Sequence, residues 1–545
     1  MLNGRIKVPK PANEPVLGYA PGSVEREVLK QQIAVMRRDP IEIPIIVGGE
    51  TLTSDEQFSI VCPHDHRHVL ARVHAAKPHH VQQAVQAAKA AWREWSRMDW
   101  WPRLAIFRKA ADLLSTRYRA QLNAATMLAQ SKTPQQAEID AACELIDFLR
   151  FNPWYAARLM AEQPSSAPAS WNAIDYRPLE GFVFAVAPFN FTSISGNLPT
   201  APAMLGNVVL WKPAEEATLA SYYFMRLLQE AGLPEGVINL LPGSGPAIGA
   251  AVLPHPDLAG VHFTGSTATF RHIWQSVGTH IAGYRNYPRL VGETGGKDFI
   301  VAHVSADPQA LTCALLRGAY EYQGQKCSAV SRAFLPQSLY KKIRDRLVEE
   351  IASMRMGDPC DFSNFMGALI NRRAFDKVRG YLDFAQRSNT DRIIVGGEWD
   401  DAIGYFVRPT LIEASDPESK LLQEEIFGPV LSCFIYPDDQ FPQALDRCDR
   451  GSPYALTGGV FARDRRAIDL AAERLRYTAG NFYINDKPTG AVVDQQPFGG
   501  SRASGTNDKA GSMNNLLRWV SPRTIKENSL PPLDYRYPYM TREAV

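Results

Sequence analysis

Two kinds of hydrophobic pattern follow one another along this chain. Residues 24–38 and 82–160 carry apolar side chains at helical spacing, with few helix-breaking residues among them. Near residue 180 the pattern changes to short apolar runs of strand length, and each of these is followed by a helix-like run. This alternation predicts βαβ units, which assemble into a parallel sheet with helices on both faces.

A second alternating series starts at residues 299–303 and continues through the strand-like LSCFIY and GGVFA. Two α/β layers in a chain of 545 residues predict a nucleotide-binding domain followed by a catalytic domain. Residues 170–181 (SWNAIDYRPLEG) and the aromatic tail PPLDYRYPYM fit neither series. Exposed strands tend to aggregate unless they are paired, so we expect these two segments to form sheet between subunits.

Charge and hydropathy narrow the class of protein. The formal net charge is only +2, from 59 basic and 57 acidic residues, which argues against nucleic acid as a main partner. No apolar run approaches the roughly 20 residues that span a bilayer. The N-terminus has no apolar signal core and is too rich in proline for a transit helix. These features predict a cytosolic protein, or a mitochondrial matrix protein shown without its presequence.

Cysteine and histidine are the side chains that could bind metal or react. None of the seven cysteines forms a CxxC pair, which argues against a disulfide framework and a structural zinc site. His64, His66 and His68 would share one face of an extended segment, but we favour a solvated hairpin there and expect no metal. Cys327 differs from the other cysteines because Gly324 permits close approach and Lys326 favours its thiolate.

Three polar stretches, residues 188–191, 211–215 and 293–297, each follow a strand-like run and precede the cysteine segment 324–328. An amide donor, a Lys/Glu pair, a carboxylate base and a thiol nucleophile in this order resemble the aldehyde dehydrogenase superfamily. The resemblance implies a Rossmann-type NAD-binding domain, an α/β catalytic domain and a small β oligomerisation flap. It divides the chain into an N-terminal helical part of the NAD-binding domain (1–165), oligomerisation strands (166–181), the NAD-binding core (182–297), the catalytic domain (298–517) and an oligomerisation tail (518–545).

The resemblance also implies a reaction. The Cys327 thiolate would attack an aldehyde, and the Asn190 side chain with the Cys327 backbone N–H would stabilise the oxyanion of the thiohemiacetal. Oxidation would leave a thioester, and Glu293 would activate the water that hydrolyses it. The cofactor would be NAD rather than NADP, because a carboxylate at Glu215 repels a 2′-phosphate. The residues expected at the cofactor are Ala187, Pro188, Phe189, Lys212, Glu215, Gly243, Gly265, Ser266, Thr267, Ala268, Thr269, Glu425 and Phe427.

Longer stretches, such as EYQGQKCSAVSR and QQPFGGSRASGTNDKAG, resemble the branch of the superfamily that oxidises glutamate γ-semialdehyde to glutamate in proline degradation. In that branch Gly490, Ala491 and Ser328 would anchor the substrate carboxylate, with Lys326 adding positive charge. Glu144 would face the ammonium group, and Phe191 and Phe498 would enclose the aliphatic carbons. Ala491 is a serine in some relatives, so one hydrogen bond is expected to be missing here.

Two rival functions remain open at this stage. The chain could be a dehydrogenase of another semialdehyde or of an aliphatic aldehyde, or a non-catalytic paralogue that keeps only the fold. A fusion with proline dehydrogenase is not expected, because the first 160 residues are too short and too helical for a barrel of roughly 250 residues. The expected partners are a small-molecule substrate, further copies of the chain in a homodimer or higher homo-oligomer, and transiently a proline dehydrogenase.

Overall fold

The computed structural model describes residues 6–540. The start of the predicted division 1–165 and the end of the predicted division 518–545 therefore lie outside the described residues. The helices include two short π-helical stretches, Leu114–Tyr118 and Glu138–Glu144, and three short 3-10 turns, Ile281–Gly283, Glu321–Gly324 and Pro538–Met540. The α-helices are α1 (Val24–Arg38), α2 (Pro78–Trp95), α3 (Trp100–Leu113), α4 (Arg119–Gln130), α5 (Pro134–Ala137), α6 (Leu145–Ala161), α7 (Thr192–Met204), α8 (Thr218–Ala231), α9 (Gly245–Val252), α10 (Thr267–Thr279), α11 (Pro308–Tyr320), α12 (Gln337–Ser353), α13 (Arg372–Arg387), α14 (Lys420–Gln423), α15 (Phe441–Arg450), α16 (Arg465–Arg474) and α17 (Met513–Leu517).

The strands lie mainly in two seven-stranded sheets. They are β1 (Ile41–Ile43), β2 (Ile45–Val47), β3 (Glu50–Leu52), β4 (Gln57–Cys62), β5 (Asp65–His74), β6 (Ser170–Pro178), β7 (Phe182–Val186), β8 (Val208–Lys212), β9 (Ile238–Leu240), β10 (Leu258–Thr264), β11 (Arg289–Glu293), β12 (Asp298–Ala302), β13 (Val330–Pro336), β14 (Asp391–Val395), β15 (Trp399–Asp400), β16 (Phe406–Val407), β17 (Thr410–Ala414), β18 (Val430–Tyr436), β19 (Tyr454–Ala455), β20 (Thr457–Phe461), β21 (Asn481–Ile484), β22 (Ser501–Arg502) and β23 (Val520–Asn528).

The first large sheet has the strand order β11-β10-β7-β8-β9-β2-β3. Strands β7 to β11 are parallel to one another, whereas β2 pairs antiparallel to β9 and to β3. From β7 the chain moves outward through β8 and β9 and then returns to add β10 on the opposite side of β7. The strand order therefore reverses between β7 and β10, and ligands of open α/β sheets bind at such a switch point.

The second large sheet has the order β14-β17-β18-β13-β12-β20-β21 and is parallel apart from the antiparallel edge strand β14. The prediction of two α/β layers is confirmed, and so is helix 24–38. Helix α1 begins after the Ser23 cap, whose hydroxyl accepts a hydrogen bond from the Arg26 amide, and it buries Leu29, Ile33 and Met36 on one face.

The structure corrects two expectations about secondary structure. The N-terminal part is not purely helical, because residues 41–74 contain β1 to β5, and the helical periodicity on either side of them masked these short strands. The aromatic tail forms no strand in its described part, where residues 531–540 are exposed and end in a 3-10 turn. Within the chain, residues 170–178 pair with β23, which lies just before that tail, and the sheet between subunits stays a prediction.

The C-terminal residues complete the first core rather than the second. Leu516, Trp519 and Val520 are fully buried among residues of the β7–β11 sheet. The Trp519 ring lies 4.7 Å from the ring of His262 in β10, and the Asn207 side chain donates a 2.8 Å hydrogen bond to the Trp519 carbonyl. The first domain therefore needs the last part of the chain to close its core.

We predict that Trp519→Ala destabilises the protein by about 3–5 kcal/mol, because truncation of a buried tryptophan leaves a cavity in the first core. Urea denaturation followed by circular dichroism measures the effect. Trp171→Ala is the matched control, since this side chain on β6 is 79% exposed and its loss should change stability by less than about 0.5 kcal/mol. Equal effects of the two substitutions would contradict this role for Trp519.

Candidate active site

The polar segments predicted for the site meet at one edge of the first sheet. Ala187 follows β7, Lys212 ends β8, Thr264 ends β10 and Glu293 ends β11. These are the carboxyl ends of parallel strands, and the Ala187 amide donates a 3.0 Å hydrogen bond to the Lys212 carbonyl at this edge. The edge includes the switch point between β7 and β10, where a crevice for a ligand is expected.

The segment before Cys327 is held in an unusual backbone conformation. Tyr322, Gln323 and Gly324 have successive φ values of 53°, 57° and 67°, which is the left-handed region. Non-glycine residues pay about 1–2 kcal/mol each for this conformation, so the surroundings must hold it. The buried Gln323 side chain does this, donating to the carbonyls of Ser131 (3.1 Å) and Ala368 (2.8 Å) and accepting from the Gly367 amide (3.0 Å).

Cys327 lies between this turn and β13, as the sequence predicts, and it is 9% exposed. Burial raises the pKa of its thiol well above the usual value, and the charges of Glu293, Asp298 and Glu425 raise it further. Lys326 does not promote the thiolate as expected, because its Nζ forms a 3.1 Å ion pair with Glu321. The thiol is therefore protonated in this state, and its activation requires a base.

Asn190 follows β7 and is buried beside the cysteine segment. Its Nδ2 donates a 3.0 Å hydrogen bond to the Gln325 carbonyl, two residues before Cys327. A side-chain amide carries two N–H donors, so this bond fixes the orientation of the group and leaves the second donor for another acceptor. The predicted proximity of Asn190 to the cysteine loop is present in the structure.

Glu293 ends β11 with its side chain turned into the protein. The Oε1 atom is buried and has no hydrogen-bond partner. Burial raises the pKa of this carboxyl to about 8, and the nearby Lys509 opposes the shift. Its environment is a cavity of about 50 Å³ that is also lined by His262, Phe498 and Lys509. A carboxyl group with a pKa of about 8 that lines such a cavity is suited to general base catalysis.

Glu425 lies across the Gly-Gly turn that follows Glu293. Its Oε1 accepts a 3.0 Å hydrogen bond from the Gly296 amide, and a Cβ at Gly295 would collide with the carboxylate. Two residues on, Phe427 adopts φ 61°, and its ring meets that of Phe189 edge to face at 5.8 Å. Both predicted nicotinamide-side residues thus approach the loops after β7 and β11.

The remaining predicted cofactor residues lie on the loops of the same sheet. Lys212 is buried, and this burial lowers the pKa of its ammonium group. The exposed Glu215 carboxylate is close enough to oppose the shift. Gly243 has φ 137° after β9. Ser266 caps α10 and accepts from the Thr269 amide at 3.1 Å, so Gly265 and Thr267 to Thr269 form the helix N-terminus that the sequence predicts.

The predicted substrate residues divide into two groups. Near the cysteine, the Ser328 hydroxyl donates a 2.9 Å hydrogen bond to Thr489, the residue before Gly490, which has φ 90°. Ala491 follows as a half-buried residue. Ser328 and the 490–491 turn are therefore neighbours, although they lie far apart in the sequence.

Across the site, Glu144 and Phe498 line the cavity that also reaches Glu293. The Glu144 carboxyl accepts a 2.8 Å hydrogen bond from Ser193, and burial and the charge of Asp140 raise its pKa to about 8. Phe191 is half-buried, with the Lys132 Nζ 4.3 Å from its ring centroid. The expectation that Phe191 and Phe498 enclose the aliphatic carbons of the substrate stays a prediction.

Sequence reasoning missed three lysines. Lys487 donates to the Thr489 carbonyl at 3.1 Å and lies against Gly490, where an added Cβ would be 3.2 Å from its Nζ. Lys132 is fully buried, pairs with Asp140 at 2.6 Å and has its pKa lowered by burial. Lys509 acts on Glu293 as described above. Lys487 could have been found in DKPTGAVV, because it is the cation nearest in sequence to the predicted anion-binding turn.

Comparison with known proteins identifies the class to which this fold and site correspond. The model of the Aldehyde dehydrogenase family matches residues 51–525. The chain belongs to this family, which confirms the resemblance noted in the sequence and the expected fold. Among the described residues no helix is both long and apolar enough to cross a membrane.

Three relatives at about half sequence identity are more specific. The mitochondrial Δ1-pyrroline-5-carboxylate dehydrogenase of Dictyostelium discoideum is 51% identical, over 98% of this chain and 97% of its own. The human protein of the same name is 48% identical, over 97% and 94%. A crystal structure of the Mycobacterium tuberculosis Δ-pyrroline-5-carboxylate dehydrogenase bound with NAD has a TM-score of 0.96 at 53% identity, covering 99% of this chain and all of that one.

We predict that Gly324→Ala weakens both stability and activity. A Cβ at this position would collide with the Gly428 carbonyl, and alanine in the left-handed region costs about 1–2 kcal/mol before any clash. Urea denaturation measures the stability, and the rate of NADH formation from an aldehyde substrate measures the activity. Gly278→Ala in α10 is the control, because its added Cβ would meet nothing within 4 Å. If the two variants behave alike, the left-handed turn does not constrain Cys327.

Proposed function

We propose that this protein oxidises L-glutamate γ-semialdehyde, which forms from Δ1-pyrroline-5-carboxylate, to L-glutamate with NAD as the cofactor. This is the second step of proline degradation. The observation that carries the proposal is a buried Cys327 thiol near enough to Glu293 for its charge to act on it, with Asn190 bonded to the same loop. The chain also aligns over almost its full length with dehydrogenases named for Δ1-pyrroline-5-carboxylate.

The cofactor crevice fits NAD on the chemistry of its own residues. Lys212 presents a buried ammonium beside Gly245, where an added Cβ would lie 3.8 Å from Nζ, and Glu215 supplies an exposed carboxylate beside it. Such a pair binds ribose hydroxyls and disfavours a 2′-phosphate. The N-terminus of α10 supplies amide donors for a pyrophosphate. When bound, the nicotinamide would supply the acceptor for the hydride that leaves the aldehyde carbon.

Acylation begins with deprotonation of the Cys327 thiol, because only the thiolate attacks the aldehyde carbon. The buried thiol and the Glu293 carboxylate, whose Oε1 has no hydrogen-bond partner, act on one another electrostatically. We assign the thiol proton to Glu293, directly or through one water molecule in the adjoining cavity. The second N–H of Asn190 and the backbone N–H of Cys327 then hold the oxyanion.

Deacylation uses the same carboxylate a second time, after Glu293 has released the thiol proton to solvent. Once the thioester has formed, Glu293 removes a proton from a water molecule as that water attacks the acyl carbon. Its pKa of about 8 means that only a minor fraction is ionised at neutral pH. The thiolate of Cys327 is the leaving group, and the surrounding carboxylates favour its reprotonation, which restores the resting thiol.

The substrate carboxylate would bind between Ser328 and the turn at Gly490 and Ala491, as the family resemblance implies. Lys487 strengthens this assignment, because its ammonium lies against the same turn. Lys326 is a weaker contributor, since Glu321 already pairs with it. Glu144 would face the substrate ammonium, whose positive charge would favour ionisation of this carboxyl.

The main test is NADH formation from Δ1-pyrroline-5-carboxylate, compared with succinate semialdehyde and hexanal. We expect the first substrate to have the highest kcat/KM, and Cys327→Ala to abolish turnover without loss of NAD binding. Preference for succinate semialdehyde or hexanal would favour a dehydrogenase of another aldehyde. NAD binding without turnover of any of the three would favour the non-catalytic paralogue.

The pKa of Glu293 predicts a pH dependence. A carboxyl whose pKa is raised to about 8 is protonated below that pH, so the base is lost as the pH falls. The deacylation rate, measured as the steady phase after an NADH burst, should rise about tenfold per pH unit up to about pH 8 and then level off. Glu293→Gln should keep the burst and show a slow, flat steady phase. A flat profile in the unaltered protein would remove Glu293 from the role of base.

Ser328→Ala tests whether the Ser328 hydroxyl binds the substrate carboxylate. Loss of one charge-assisted hydrogen bond costs about 1.5–3 kcal/mol, or one to two decades in kcat/KM for glutamate semialdehyde. Hexanal has no carboxylate, so its kcat/KM should hardly change. Equal losses for both aldehydes would mean that Ser328 affects the reactivity of Cys327, its neighbour in the chain, and does not bind the substrate carboxylate.

Location and assembly complete the proposal. The relatives from Dictyostelium and human are named mitochondrial, and we propose the compartment of proline degradation, the cytosol or the mitochondrial matrix, for this chain. Self-association through the exposed β6–β23 sheet and a transient contact with a proline dehydrogenase are further proposals. Sedimentation of the purified protein, alone and with a proline dehydrogenase, tests both.

A further inference from the structure

A cluster of metal-binding side chains lies outside the active site, where the turn between β4 and β5 meets the loop after α12. Within residues 6–540 it consists of His64, Asp358 and Cys360, each of which contributes one ligand atom, and these atoms all lie within 4.8 Å of one another. Asp358 and Cys360 lie two residues apart on one loop, and the fold brings His64 to them from almost 300 residues earlier in the sequence.

The spacing of two of these atoms already matches a metal site. His64 is 3% exposed, and its Nε2 is buried without a hydrogen-bond partner, 3.4 Å from Asp358 Oδ1. A tetrahedral ion with bonds of about 2.0–2.3 Å holds its ligand atoms about 3.3–3.8 Å apart. The separation is too long for a good hydrogen bond and suits two ligands of one ion.

Neighbouring groups fix the orientation of the His64 ring and of the Asp358 carboxylate through hydrogen bonds, as is common for metal ligands. His64 Nδ1 lies 3.2 Å from the Ser131 hydroxyl, which also accepts from the Ala368 amide at 2.9 Å. These contacts fix the imidazole ring and aim Nε2 at the cluster. The Cys360 amide donates to Asp358 Oδ1 at 2.8 Å, which fixes the carboxylate beside the thiol.

The cluster can supply negative charge to a divalent cation, part of which Arg37 offsets. His64 would bind the ion as the neutral imidazole, through the buried Nε2 that has no hydrogen-bond partner. A thiolate at Cys360 and the Asp358 carboxylate together supply two negative charges. Arg37 faces the cluster through a 2.7 Å ion pair with the other Asp358 oxygen, and Cys62, Asp65 and His68 are the remaining titratable groups near it.

We propose that His64 Nε2, Asp358 and Cys360 bind one Zn²⁺ ion, with a water molecule in the fourth position. Imidazole, carboxylate and thiolate are the ligand types that zinc takes, and three protein ligands leave one position open. On binding, the Cys360 thiol loses its proton to solvent and the Zn–S bond forms, with no change of oxidation state. This revises the expectation of no metal, which considered only ligands near the three histidines in the sequence, whereas the fold brings Asp358 and Cys360 to His64.

The proposed ion would also stabilise the geometry of the catalytic segment. Ser131 touches His64 through its hydroxyl, and its carbonyl accepts from Gln323 in the left-handed turn before Cys327. An ion at the cluster would thus hold the β4–β5 hairpin, the 355–370 loop and Ser131 in one arrangement. The site is independent of the identity of the substrate, so its test does not depend on the proposed function.

The experiment uses the full-length protein after a chelator has removed bound metal. One sample is dialysed against Co²⁺ and a second sample against Zn²⁺. We expect about one ion per chain by elemental analysis, and a thiolate-to-cobalt charge-transfer band in the near ultraviolet. Cys360→Ser should abolish the band, and both Cys360→Ser and His64→Gln should weaken Zn²⁺ affinity by more than about tenfold.

The controls keep the same chemistry outside the cluster. Cys313→Ser removes an exposed cysteine, and His66→Gln removes a histidine of the same hairpin whose Nε2 contacts the Asp401 carbonyl. Both should bind the ion as the unaltered protein does. Circular dichroism checks that each variant folds, and if His64→Gln does not fold, Cys360→Ser at its half-buried position decides the result. Absence of uptake by the unaltered protein, or unchanged uptake by folded Cys360→Ser, overturns the proposal.

Discussion

The left-handed turn at Tyr322, Gln323 and Gly324 is the constraint on which the active site depends. It reverses the chain between α11 and β13 within a few residues and sets the position of Cys327. Three hydrogen bonds from one buried side chain, Gln323, hold a conformation that two of the three residues would otherwise avoid. The partners of that side chain come from the end of α4 and from residues 367–368, so the turn exists only when both are in place.

Burial of charge explains the resting state of this site. Cys327 and Glu293 both hold their protons more tightly than usual, because neither ionised form is solvated by water. Asn190 and Glu425 are already bonded to backbone groups, so they need no large rearrangement to act. An enzyme arranged in this way keeps its nucleophile as an unreactive thiol until a ligand changes the local electrostatics, which protects the cysteine from adventitious oxidation.

Local sequence signals were sufficient for the parts of the structure that local chemistry determines. The parallel strands, helix α1, the cap at Ser266 and the positions of Asn190, Glu293 and Cys327 at element ends all follow from periodicity and turn residues. The strands between residues 41 and 74 were missed because they are short and lie between strong helical patterns. Lys487 beside Gly490, the ion pair of Lys326 with Glu321 and the meeting of His64 with Asp358 depend on three-dimensional packing. No periodicity encodes them.

The pairing of β6 with β23 has a consequence for how the chain is made. The two strands are in register from Ser170 opposite Asn528 to Pro178 opposite Val520. All of the strands from β7 to β22 nevertheless lie between them in the sequence. A ribosome therefore releases β6 with its edge unpaired, and with the first core still lacking Trp519, until residues 519–528 have been made. Nascent chains of this protein hold an open sheet edge during the synthesis of more than 300 residues, so fast closure by β23 limits the time in which this edge can aggregate.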